Sequence, residues 1–108
     1  MGKWQKVASL TDLKPGDCLS VETGGAGIAL FNVNGTVYAL DNTCPHAGGP
    51  LGEGFLEGHI VECPWHGWRY DVKTGERPEN HDFKVDCYPV QVEGNEISVI
   101  LPEDKATL

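Results

Sequence analysis

Two stretches decide the reading of this chain: CPHAGGPLGEG at residues 44–54 and ECPWHGWRYDVKTGE at residues 62–76. The first carries Cys44 and His46 and the second Cys63 and His66, a C-x-H-x16-C-x2-H spacing. Two thiolates and two imidazoles offered from two segments can hold a metal centre. Soft sulfur donors select zinc, copper or an iron–sulfur cluster. Each segment contributes one Cys and one His, whereas structural zinc sites usually pair like ligands at C-x2–4-C and H-x3–5-H spacings.

Outward from these segments, the chain reads as all-β. Short alternating apolar runs at Gln5–Ser9, Cys18–Thr23, Ile28–Val33, Thr36–Asp41, His59–Glu62, Trp68–Asp71, Val90–Val92 and Glu96–Leu101 are separated by turn signals. Asn34-Gly35, between FNV and TVYAL, is the two-residue signal of a type I′ hairpin, in which both central residues need positive φ. Gly94-Asn95 marks a second hairpin, and Gly58 and Gly75 mark further reversals. One turn of helix at most is expected, at Ser9–Leu13, stopped by Pro15-Gly16. Both ligand segments fall between strands, so two β-loops must present the four ligands.

At 108 residues, with fourteen glycines and seven prolines, the chain is one small, turn-rich domain. No segment approaches the ~20 apolar residues of a membrane span, and the N-terminus lacks the apolar stretch of a signal peptide. A cytoplasmic location is therefore expected. The formal net charge of −8 argues against nucleic acid and anionic membrane partners. It suits docking onto a basic protein face, although acidity also serves solubility alone. Four cysteines in such a chain are more readily ligands or thiols than a disulfide framework. Cys18 and Cys87 lack histidine partners and are expected to pack as small hydrophobes, and a bridge between them stays open.

The double motif resembles that of Rieske-type ferredoxins, and the likeness runs from about Lys3 to Leu101. It implies a Rieske fold: an antiparallel β-sandwich or barrel base with a cluster-binding β-loop insertion. The whole of residues 1–108 would be a single Rieske domain, with 1–40 and 83–108 forming the basal region and about 41–82 the cluster-binding region. The resemblance implies one 2Fe-2S cluster, with Cys44 and Cys63 on the inner iron and His46 and His66 on the outer. Two ferric ions, two sulfides and two thiolates sum to zero charge. An all-cysteine cluster is more negative and harder to reduce, which is why histidine ligation raises the potential. Glycines 48, 49, 52, 54 and 67 would let backbone N–H groups approach the cluster sulfurs.

Departures from the respiratory branch of that family are informative. That branch clamps its two loops with a disulfide, and the matching positions here are Gly49 and Trp65. Its serine after the second ligand pair is Trp68 here, while Tyr70 keeps the nearby tyrosine of high-potential members. The resemblance thus implies a potential near the low end of the Rieske range, ~−150 mV. The function implied is that of a one-electron carrier and not a catalyst. A flavin-dependent ferredoxin reductase would supply the electron, and the terminal oxygenase of a ring-hydroxylating dioxygenase-type system would receive it.

Two alternatives remain at this point: the Rieske-like small subunit of an assimilatory nitrite reductase, and a structural zinc-binding interaction module. His59 and His81 are expected as surface residues, because an oxygenase's mononuclear iron sits in a larger domain. Trp65 and Trp68 are expected to shield the centre or form a docking patch, and Trp4 to pack in the basal core.

Overall fold

The computed structural model describes residues 4–23, 26–43, 50–65, 67–79 and 84–100. Among these residues ten strands form three antiparallel sheets. β1 (Trp4–Ser9), β10 (Glu96–Ile100) and β9 (Val90–Glu93) make one sheet in that order. β2 (Cys18–Thr23), β3 (Ala26–Val33), β4 (Thr36–Asp41) and β8 (Cys87–Tyr88) make the central sheet. β5 (Phe55–Glu57), β6 (Ile60–Glu62) and β7 (Arg69–Asp71) make the third. A 3-10 turn at Leu10–Asp12, capped by the Ser9 hydroxyl, stands where one helical turn was expected, and a second, not expected, lies at Leu51–Glu53.

The apolar run IALF, residues 28–31, explains the layering. Ile28, Ala29, Leu30 and Phe31 are all fully buried, although successive side chains on a strand point to opposite faces. The strand therefore has a core on each side. Ile28 and Leu30 pack with Val37, Ala39, Ile97 and Val99 toward the β1-β10-β9 sheet. Ala29 and Phe31 pack with Leu40, Leu51, Val61, Cys63 and Tyr70 toward the ligand loops. The second core is the floor of the site.

Hairpin chemistry sets the register. Asn34 (φ 52) and Gly35 (φ 95) both take positive φ, as a type I′ turn requires, and Val33 faces Thr36 across it. At the second hairpin Gly94 alone is left-handed (φ 59), and Glu93 faces Glu96.

Asn32 is the one buried polar side chain among the described residues. Its Nδ2 donates to the Leu13 carbonyl at 2.9 Å, and its Oδ1 accepts the Gly35 N–H at 2.8 Å. One side chain thus ties the 3-10 turn to the first hairpin. Asn32→Ala leaves both backbone groups without that partner and should cost about 2 kcal/mol. Thermal unfolding should register it as a fall of roughly 10 °C in Tm.

Two expectations are corrected. Trp4 is 44% exposed and does not pack in the core. It shares a face of β1 with exposed Lys6, while Gln5 and Val7 turn inward. Cys87 is exposed and does not pack as a buried hydrophobe. Nor are Cys18 and Cys87 bridged, since both are thiols on opposite edge strands, β2 and β8. Three strand spacings separate those edges, about 14 Å, twice the reach of a disulfide.

Candidate metal centre

Each ligand segment is a loop fastened at its foot. The first leaves β4 through Asn42 and Thr43 and returns at Pro50, which bridges Thr43. Asn42 is the fastening. Its N–H donates to the Gly27 carbonyl at 3.1 Å and its carbonyl accepts the Leu51 N–H at 2.8 Å. Its Oδ1 accepts the Gly52 N–H at 2.7 Å and the Ser20 hydroxyl at 3.3 Å. Leu51, fully buried, then drops into the floor.

The second segment leaves β6 at Cys63 and enters β7 at Arg69. The Cys63 N–H donates to the Trp68 carbonyl at 2.7 Å, and the Gly67 N–H to the Cys63 carbonyl at 3.1 Å. Gly67 takes φ 75, a left-handed value that lets the loop close so tightly. Cys63 is only 1% exposed and packs in the floor beside Tyr70, itself fully buried.

Of the four expected ligands the structure therefore describes Cys63; Cys44, His46 and His66 lie outside the described residues, as do Gly48, Gly49 and His81. What it does describe fits a cluster held between two loops. A buried thiol stands at the base of one loop, and Leu51 from the foot of the other shares its apolar cluster. Such a floor keeps water from a metal's inner side.

The other two thiols lie on the edge strands of the central sheet, β2 and β8. Burial, with help from the Asp17 charge, pushes the Cys18 thiol up to about 11. Desolvation of the sulfur likewise raises Cys87. Both stay protonated at neutral pH.

The glycines read as approach points for sulfur have other duties where they are described. The Gly52 N–H is taken by Asn42, the Gly54 N–H by the Leu51 carbonyl at 3.0 Å, and the Gly67 N–H by Cys63. Gly52 is small because it lies on β2: a Cβ there would stand 2.7 Å from the Ser20 nitrogen. At Gly54 a Cβ would overlap the Glu62 carbonyl, one residue before Cys63. They are contact glycines that bring the loops onto the sheets.

His59 is a surface residue, its Nδ1 3.1 Å from Asp71 Oδ1 and its side chain half exposed. Trp68 is partly buried against the floor, while Trp65 is 59% exposed. Phe55, 67% exposed, lines a groove with Ile60 and with Glu57, Glu62 and Arg69. Sequence reasoning missed the bracing role of Asn42, although a lone Asn between a strand and a ligand loop is a signal for it.

An all-β domain with the feet of two loops pinned over one apolar floor, and a buried thiol at the foot of one, fits a metal-centre domain. A family model described as the Rieske [2Fe-2S] domain matches residues 3–89. The chain belongs to the Rieske family, whose group is a 2Fe-2S cluster, and the zinc reading ends there. It is 39% identical to the ferredoxin component of the naphthalene 1,2-dioxygenase system of Pseudomonas aeruginosa, over 92% of this chain and 96% of that protein. A solved complex of reduced oxygenase and oxidized ferredoxin in carbazole 1,9a-dioxygenase contains a chain that matches at TM-score 0.81. That match has 33% identity and covers 90% of this chain and 92% of that one. A putative NADH-dependent nitrite reductase small subunit from Mycobacterium tuberculosis matches at TM-score 0.84, covering 94% of this chain and 97% of that one. Its 24% identity shows the shared fold alone. The relatives reported above at 33% identity or more are ferredoxins, electron carriers and not catalysts.

Proposed function

We propose that this chain is the ferredoxin component of a ring-hydroxylating dioxygenase-type system. It takes one electron from a flavin-dependent reductase and passes it to a terminal oxygenase in the cytoplasm. The observation that carries this reading is the near full-length likeness to a dioxygenase ferredoxin, joined to the buried Cys63 at the foot of a pinned loop.

In this reading Cys44 and Cys63 bind the inner iron and His46 and His66 the outer one. Residues 1–40 and 83–108 form the basal region, and about 41–82 the cluster-binding region. When bound, the cluster supplies a site that gains or loses a single electron at the low end of the Rieske range, near ~−150 mV. The chain's own residues do the rest. Cys63 is held among apolar side chains that exclude water, so few dipoles reorganise as charge changes. The paired hydrogen bonds between Cys63 and Trp68–Gly67 fix the loop. Among the described residues no helix is long and apolar enough to cross a membrane.

Exposed Trp65, in the second ligand loop, supplies an aromatic anchor for a partner. Glu57 and Glu62 beside Phe55, in a chain of net charge −8, suit a partner whose docking face is basic. The test is stopped-flow oxidation of the reduced protein by a terminal oxygenase at rates that sustain turnover. Trp65→Ala should slow that transfer about tenfold or more, with unfolding and visible spectrum unchanged. Unaltered transfer and unaltered partner affinity would rule out the docking role. No transfer by the unsubstituted protein to any such oxygenase would overturn the function.

A further inference from the structure

One arrangement beside the second loop is not used by this reading. The guanidinium carbon of Arg77 lies 3.7 Å from the centroid of the Trp68 ring, the separation of a planar cation stacked on an aromatic face. Its Nε is buried and makes no hydrogen bond among the described residues. A buried donor left without an acceptor is costly, so the ring contact and local charge must hold the side chain in place. Trp68 in turn packs on the floor that contains Cys63 and Tyr70, and its carbonyl receives the Cys63 N–H. Arg77 therefore bears on Cys63 through a single intervening residue.

Both signs of charge surround this stack. Arg69 donates from Nε and Nη2 to Glu79 Oε1, each at 2.9 Å, and Arg77 also acts on that carboxylate. Glu57 and Glu62 line the groove beside Arg69, and Asp71 and Glu76 line the surface beside Arg77. The chain as a whole is strongly negative. Arg77 is thus a fixed cation on an acidic surface, stacked on the loop that carries Cys63.

We propose that Arg77 is a positioning residue that clamps the Cys63–Trp68 loop by stacking on Trp68, and that its fixed charge raises the reduction potential of the centre. The inference rests on the 2Fe-2S reading above and deepens it. Residues 49 and 65 are Gly and Trp, so no disulfide joins the two loops there; the Arg77 stack instead ties the second loop to the segment after β7. Reduction adds negative charge to the centre, and a nearby fixed cation stabilises that charge.

Voltammetry of the cluster-loaded protein, with visible circular dichroism of the same samples, tests this. Arg77→Gln should shift the reduced-to-oxidised ratio at fixed ambient potential about tenfold toward oxidised, ~59 mV for one electron. Arg77→Lys keeps the charge but stacks less well. It should hold most of the potential while altering the dichroism. Glu79→Gln removes the counter-charge and should shift the couple the opposite way. That side chain is exposed, so this variant keeps the test alive if Arg77→Gln fails to fold. Potentials unchanged in both Gln variants, or moved in the same direction, would overturn the inference. So would a Lys variant as low as Gln. An unsubstituted protein that binds no cluster would instead overturn the functional reading itself.

Discussion

Cys63→Ala should yield a folded, colourless protein. The thiol is 1% exposed and stands among apolar side chains, where alanine is tolerated at the cost of a small cavity, roughly 1 kcal/mol. The loop hydrogen bonds that position residue 63 run through the backbone and survive the change. What is lost is a soft, charged donor at the foot of the second loop. The visible absorption and bound iron should therefore vanish while Tm falls by less than about 10 °C. Alanine at Cys44, His46 or His66 should do the same. Full iron content in any of the four variants would remove that residue from the ligand set.

Gly54→Ala should be a strongly damaging single methyl. Gly54 has φ −84, a value any residue accepts, so no backbone strain is involved. The obstacle is the Glu62 carbonyl, which a Cβ would overlap. That carbonyl belongs to the end of β6, adjacent to Cys63, and the strand must retreat to make room. Overpacking of this kind costs about 3 kcal/mol or more, a fall of at least ~10 °C in Tm. Because the strand carries Cys63, iron retention should fall as well. Gly58→Ala is the contrast. Its φ of 62 is strained for alanine, but nothing lies within 4 Å, so the loss should stay near ~1 kcal/mol with iron content unchanged. A Gly54→Ala protein as stable as its parent would show that the loops are not seated as described.

The comparison of these two glycines bears on how much was legible in the sequence. Features set by local chemistry were. Asn34-Gly35 demanded two positive φ values and has them, and the run at 28–33 marked a strand, although reading it as alternating missed the burial of residues 28–31 on both faces. The ligand spacing pointed to a Rieske centre because few arrangements need one Cys and one His in each of two loops. Features set by distant contacts were not. Nothing near Gly54 names the Glu62 carbonyl as its neighbour, and the glycine was read instead as an approach to sulfur. The strand Phe55–Glu57 has three residues between glycines, too short for a period of two to show. The strand Cys87–Tyr88 exists only because Leu40 and Ala39 pair with it. Trp4 was misread on hydrophobicity alone, although its alternation with Lys6 already placed it on the outer face. Arg77 on Trp68 left no local signal, since its partner is chosen by how β7 and the segment after it fold back.

The reduction potential of the purified protein, followed by film voltammetry as a function of pH, tests the central claim most directly. A one-electron couple near ~−150 mV, falling only at alkaline pH, is the result expected of a low-potential Rieske carrier. A couple near ~+300 mV would contradict the reading of Gly49, Trp65 and Trp68, and a colourless protein with no couple would contradict the centre itself.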